Sequence, residues 1–160
     1  MPGKYEQFIN FLTNPIFLSG LFSWLGAQLL KTFINLLYGR IKSLKQLFEY
    51  MVWKTGGMPS SHSALVTSVT TAIGFNDGIN SGAFMVSLIV TFITIRDAVG
   101  VRRSSGMQAH KLNDIGKELE SKNVIEEYKP IKEVDGHTPM QVILGALLGF
   151  LIGLSMSLLK

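Results

Sequence analysis

The sequence contains no cysteine. Disulfides, thiol nucleophiles and cysteine-ligated zinc are therefore excluded. It also lacks a His-Glu-x-x-His motif, and its three histidines, His62, His110 and His137, lie far apart in the chain. A zinc hydrolase would have no clear third ligand beside His62 and His137. The opening stretch, "MPGKYEQFINFLTNP", lacks the marks of a signal peptide. Its one early lysine is followed by Glu6 and polar residues, and no small-residue cleavage site follows the first apolar run. That run is expected to be kept as a membrane helix. There is no long repeat and no low-complexity tract.

What is present is uneven. At 160 residues the chain reads as one domain, 1–160, with its apolar residues gathered into long stretches. A bilayer core of ~30 Å needs about 20 mostly apolar residues per spanning helix. The segments 15–38, 79–101 and 137–159 meet that length, and 60–75 is a shorter span rich in Ser and Thr. The tight-turn signal "NDG" at 76–78 joins the second and third spans as a helical hairpin. Residues 39–57, basic and amphipathic with Trp53 near the end, predict an interfacial helix on the headgroups. Residues 102–136 predict a polar loop with some helical content. The expected fold is all-α: a polytopic membrane bundle of about four transmembrane helices plus the interfacial helix.

Charge orients the bundle. With four spans, the loops 39–59 and 102–136 share one side. They hold Arg40, Lys42, Lys45 and Lys54, then Arg102, Arg103, Lys111, Lys117, Lys122, Lys129 and Lys132. The other side has Lys4 and Lys160, with no basic residue in the 76–78 turn. The net charge of +4 thus reads as topology rather than nucleic-acid binding. It predicts a multi-pass protein of the cell membrane with the loop side cytoplasmic.

Ionisable groups within membrane segments are costly and are functional candidates by default. Gln28, Lys31 and Asn35 are spaced by three and four, on one helix face. Read alone, Lys31 is equally well explained as a lysine snorkelling to the interface. Arg96 and Asp97 end the third span, followed by Arg102 and Arg103. His62 opens the second span and His137 the fourth, with Gln141 one turn later. A single histidine at a helix start is ordinarily a cap or surface residue, and His110 reads that way. Up-and-down topology, however, brings His62, His137, Lys31 and the Arg96–Arg103 region to the same end. Gly145, Gly149 and Gly153 form a small-residue ridge along the fourth span, and Ser19, Ser23 and Ala27 a similar face leading toward Lys31.

Two histidines among cations suit phosphoryl transfer. One imidazole can attack phosphorus, the other can protonate the leaving alkoxide, and Lys and Arg can hold the equatorial oxygens. The turn "GGMPSSH" adds glycines, serine hydroxyls and helix-start amides, an anion cradle. A channel or transporter using Lys31, Arg96 and Asp97 would need polar residues through the depth of the spans. Instead the far halves are apolar, as in "LIVTFI" and "LLGFLIGL".

These residues resemble a known superfamily. "KTGGMPSSHSA" (54–64) is similar to the Pro-Ser-Gly-His motif of the type-2 phosphatidic acid phosphatases and vanadium haloperoxidases, and "HTPMQVILGALLG" (137–149) to their final histidine motif. With "RDAVGVRRSSGMQAHKLN" (96–113), the chain resembles the divergent bacterial and plant branch from about residue 20 on. The resemblance implies His137 as nucleophile, His62 as general acid, and Lys31, Ser60 and Ser61 as phosphate ligands. Three positions depart from the pattern. Tyr38 stands at the arginine expected after Lys31, with Arg40 two residues on. Ile131 stands at the arginine expected before the nucleophile, leaving Arg102 or Arg103 to supply the charge. Gln141 replaces the aspartate that orients the nucleophile, leaving Asp97 or Asp135 to substitute. Gln28, Gln141 and Arg96 are expected in support. The implied function is a lipid phosphate phosphatase with a metal-free, cofactor-free phosphohistidine mechanism, acting on phosphatidylglycerol phosphate, phosphatidic acid or a similar lipid. The alternative is a degenerate member that binds an anionic headgroup. The expected partners are the bilayer and a lipid phosphate, not nucleic acid; a homo-oligomer is compatible with the sequence.

Overall fold

The computed structural model describes residues 3–52, 57–133 and 136–159. Trp53, Lys54 and Asp135 lie outside the described residues. The described chain is all-helical, in seven helices: α1 Lys4–Leu12, α2 Pro15–Leu37, α3 Leu44–Val52, α4 Ser61–Asn76, α5 Gly82–Val99, α6 Val101–Ser121 and α7 Pro139–Leu158. Three are long and apolar enough to cross a membrane: α2, α5 with its continuation α6, and α7. This agrees with a helical membrane bundle, with three candidate spans among the described residues where about four were expected.

α4 is the hub, packed against α7, α2 and α5. Its 16 residues rise ~24 Å, short of a ~30 Å core. The packing on α7 follows from the glycine ridge. A Cβ at Gly145 would strike the Ser60 carbonyl, one at Gly149 the Ala64 carbonyl, and one at Gly153 the Ser68 carbonyl. Small residues four apart on both helices let the backbones touch. At the far end Asn76 Nδ2 donates to Ser157 Oγ at 3.4 Å, so α4 and α7 run parallel over their length.

α2 runs antiparallel to α4. Ser68 Oγ donates to the Ser19 carbonyl at 3.2 Å, and Ser19, Ser23 and Ala27 are fully buried. Asn14 starts α2, its Oδ1 accepting from Ile16 N at 2.8 Å, with Pro15 in the first turn. On α5, Thr91 Oγ1 lies 2.9 Å from Thr70 Oγ1. The "NDG" turn forms as expected: α4 ends at Asn76, Gly78 takes φ +87°, and Ser81 caps α5.

Two regions differ from the sequence expectation. The segment 102–136, read as a polar loop with some helical content, is more helical than expected: its first part is α6, a 21-residue helix that continues α5 through Gly100. Its charges hid a face of Ala109, Asn113 and Gly116, which is buried under a returning strap that includes Tyr128. α1 was not expected at all; it is exposed throughout and touches α2 through Phe11 and Phe17, ring centroids 4.4 Å apart. Of the helix expected over 39–57, Leu44–Val52 forms α3, with Leu44, Phe48 and Met51 exposed along one face.

Candidate active site

The first polar layer is built on α2. Gln28, Lys31, Thr32 and Asn35 are all buried, Lys31 to 1 % exposure. Lys31 Nζ donates to Gln28 Oε1 at 3.0 Å, and Asn35 Nδ2 to the Lys31 carbonyl at 2.8 Å. Lys31 therefore does not snorkel outward. Gly57 lies over its aliphatic stem, where an added Cβ would sit 3.5 Å from Cγ. Among the described residues no carboxylate comes within ion-pair distance of this ammonium. Arg40 reaches this layer through Asn35 rather than Lys31: its Nη1 donates to Asn35 Oδ1 at 3.4 Å, and its guanidinium lies 5.6 Å from the Tyr38 ring centre.

The second layer is the start of α4. Ser60 is the N-cap, its Oγ accepting from Ser63 N at 3.4 Å and lying 3.0 Å from Ser63 Oγ. Ser60 is thus engaged in building the helix start. Ser61 and His62 follow in the first turn, whose amides have no intrahelical acceptor. Ser61 is buried and His62 exposed. Lys31, Arg102 and Asp97 all lie within electrostatic reach of the His62 ring. Asp97 is bonded to Arg102 at 2.5 Å, across the α5–α6 junction.

The third layer is the approach to α7. The Ser60 amide donates to the Gln141 carbonyl at 3.0 Å, which ties the start of α4 to the first turn of α7. His137 is 4 % exposed, and its amide donates to the Ala98 carbonyl at 3.1 Å. Gly136 packs against the Arg103 backbone so closely that a Cβ would clash. The two histidine-bearing helix starts are therefore held at one end of the bundle.

Gln141 has a different task from the aspartate it replaces. Its Oε1 accepts from Thr138 N at 2.9 Å, and its own amide donates to Thr138 Oγ1 at 3.4 Å. This capping box starts α7. Arg103 and Arg96 also stand apart from the Lys31–His62 layers. Arg103 lines a cleft with Met107, His110 and Glu133, and Arg96 lines a shallow groove with Val99 and Ser104.

Sequence reasoning missed the strap that delivers His137. Asn113 on α6 grips Ile131 by both backbone groups: Ile131 N donates to Oδ1 at 2.8 Å, and Nδ2 donates to the Ile131 carbonyl at 2.9 Å. Tyr128 donates to the same Oδ1 at 2.6 Å, and Glu133 Oε1 accepts from Nδ2 at 2.7 Å. His110 Nδ1 lies 3.2 Å from Glu133 Oε2. The usable signal was the small face of Ala109, Asn113 and Gly116 amid charges. Among the described residues, no three His, Asp or Glu side chains converge as metal ligands would.

A family model described as "Divergent PAP2 family" matches residues 12–152. The chain belongs to the divergent PAP2 family. Among its relatives is the uncharacterized membrane protein YuiD of Bacillus subtilis (strain 168), 37% identical over 156 residues, covering 91% of this chain and 96% of that one. No solved structure matches. Membership supports a membrane phosphatase-related role, and the relative's name agrees with placement in a membrane.

Proposed function

We propose that this divergent PAP2 protein is a lipid phosphate phosphatase, hydrolysing a phosphomonoester through a phosphohistidine. The supporting observation is Lys31: a cation 1 % exposed, bonded to a neutral amide, with Gly57 of the turn before His62 lying over its stem. A buried charge is costly unless it is compensated. A phosphate group bound at this end would supply the compensation.

In this reading His137 attacks phosphorus and the ester P–O bond breaks. His62 gives its proton to the departing alkoxide. Water then attacks the phosphohistidine, His62 recovers a proton, and inorganic phosphate leaves. Lys31, Arg102 and the Ser61 and His62 amides bear the charge on the equatorial oxygens. The basic loop side supports a cytoplasmic site in the cell membrane, and hence a lipid phosphate made in that leaflet.

The test is phosphate release by purified protein in lipid micelles, over a panel of lipid phosphates, with His137→Ala and His62→Ala alongside. The expected outcome is release by the wild type and its loss in both variants. One observation favours a second reading. The Gln141 side chain, where the family pattern has its aspartate, is spent on capping α7. A folded wild type that binds phosphatidic acid but releases no phosphate would identify a headgroup binder.

A further inference from the structure

A groove of about 650 Å³ runs between α4 and α5. Its α4 side is Leu65, Val69 and Ile73, and its α5 side is Ala83, Val86 and Val90. The spacing from His62 to these α4 residues is three, four and four, so all four share one helix face. Ala83, Val86, Val90 and Asp97 likewise share one face of α5, at spacings of three, four and seven. Continued past Leu65 and Val90, the two walls of the groove lead to His62 on one helix and Asp97 on the other, with Arg102 bonded to Asp97.

We propose that this groove seats an acyl chain of a lipid phosphate whose headgroup lies at His62. The inference rests on the reading of that end as a phosphomonoester site, and it adds the path of the tail. The two ends of the feature match the two ends of such a lipid. Lys31, and Arg102 once it exchanges Asp97 for the phosphate, would oppose the phosphate charge, and the Leu65–Ile73 wall extends ~12 Å into the apolar layer. A chain gains no hydrophobic energy on leaving lipid for an apolar groove. What the groove supplies is register: a tail lying along α4 sets the depth of its phosphate. A second apolar groove, of about 540 Å³, lies across the Leu65–Val69 ridge, against Phe17 and Trp24. It runs toward Phe11 and Asn14, away from the histidines.

The experiment uses the full chain in phosphatidylcholine nanodiscs with a phosphatidic acid carrying a diazirine midway along one acyl chain. After illumination, adducts are mapped by mass spectrometry. Adducts are expected on 65–73 and 83–90, displaced by unlabelled phosphatidic acid. A phosphatidylcholine with the same diazirine chain should label the outer faces evenly. Val86→Trp and Ala83→Phe should each lower the groove adducts several-fold; both side chains are exposed, so the fold should tolerate them. Even labelling by the phosphatidic acid, adducts confined to the Phe17–Trp24 groove, or indifference to both variants would overturn the proposal. Groove adducts on a protein that releases no phosphate would keep the groove and remove the phosphatase reading. Release without groove adducts would do the reverse.

Discussion

α5 and α7 are both long, apolar helices, yet they sit in the bundle in opposite ways. α7 lays Gly145, Gly149 and Gly153 directly on the α4 backbone. α5 buries only Thr91 and Ala98, and leaves Val86, Ile89, Phe92 and Ile93 largely exposed. Hydropathy decides that each can enter a bilayer; it does not decide how closely each is held. Lipid tails are as apolar as leucine, so small residues and hydrogen bonds set the packing. The result is a tight side, α2–α4–α7, which fixes Lys31 and the two helix starts, and an open side along α5. A site for a membrane-borne substrate needs both: a frame that holds the reacting groups and a face through which a lipid can arrive.

The most severe way to break this contrast is at Gly149. A leucine there would drive its side chain into the Ala64 carbonyl, and overpacking of this kind costs about 1–3 kcal/mol, occasionally more. Gly149→Leu is expected to lower the melting temperature in detergent sharply or to prevent assembly. Phe92→Leu on the open side is expected to shift stability by less than about 0.5 kcal/mol. Equal losses at the two positions would erase the distinction between the sides.

Lys31 sharpens the contrast by separating stability from function. A buried charge without a counter-ion costs folding energy, and an apolar residue of similar volume removes that cost. Lys31→Met is therefore expected to keep or raise the melting temperature while abolishing protection by vanadate or phosphatidic acid. Arg102→Gln removes a half-exposed ion pair, worth about 0–1 kcal/mol in such settings. It should weaken anion binding without changing stability measurably. A Lys31→Met protein that unfolds would show the lysine to be structural.

The hydroxyl pair between α4 and α5 should have a smaller effect. Thr70 Oγ1 lies 3.1 Å from the Ser87 carbonyl and 2.9 Å from Thr91 Oγ1. Interhelical bonds of this type average about 0.6 kcal/mol in a membrane protein. Thr91→Val should cost on that order, read as a small shift in unfolding midpoint. A loss as large as that of Gly149→Leu would mean that α5 is held as firmly as α7.

Much of this contrast was legible beforehand, for a physical reason. The Gly145–Gly153 ridge and the Gln28–Lys31–Asn35 face follow from helical periodicity, which one sequence displays. The "NDG" turn is local chemistry. The extent of α6, expected only as some helical content, was hidden because its docking depends on a partner distant in sequence: Asn113 meets Ile131 across 18 residues. The commitment of Gln141 was hidden differently. Thr138 and Gln141 fit the capping box, but a sequence does not say whether a side chain three residues from its cap turns back or reaches across. α1 escaped notice because its apolar residues contact almost nothing.

The strap offers the finest test, since it lies outside the packed frame yet leads to His137. Hydrogen bonding from Asn113 first, then from His110, holds the Glu133 carboxyl below its ordinary value of 4.5. The sign follows: a carboxylate whose folded pKa is depressed adds stability that is complete above the unfolded value and is lost as pH falls through the folded one. The strap should therefore be fully docked on α6 at neutral pH and begin to loosen only below the ordinary carboxylate range. Asn113→Ala removes the leading cause, so the Glu133 midpoint should rise toward 4.5 and loosening should start at higher pH. Carbon-13 shifts of the Glu133 carboxyl against pH read the midpoint, and amide exchange at Ile131 reads the docking. Because Glu133 is exposed, the change in global stability should be slight. If exchange at Ile131 in Asn113→Ala matched the wild type, the strap would be held by Tyr128 against Gly116 instead, and the approach to His137 would belong to the tight side after all.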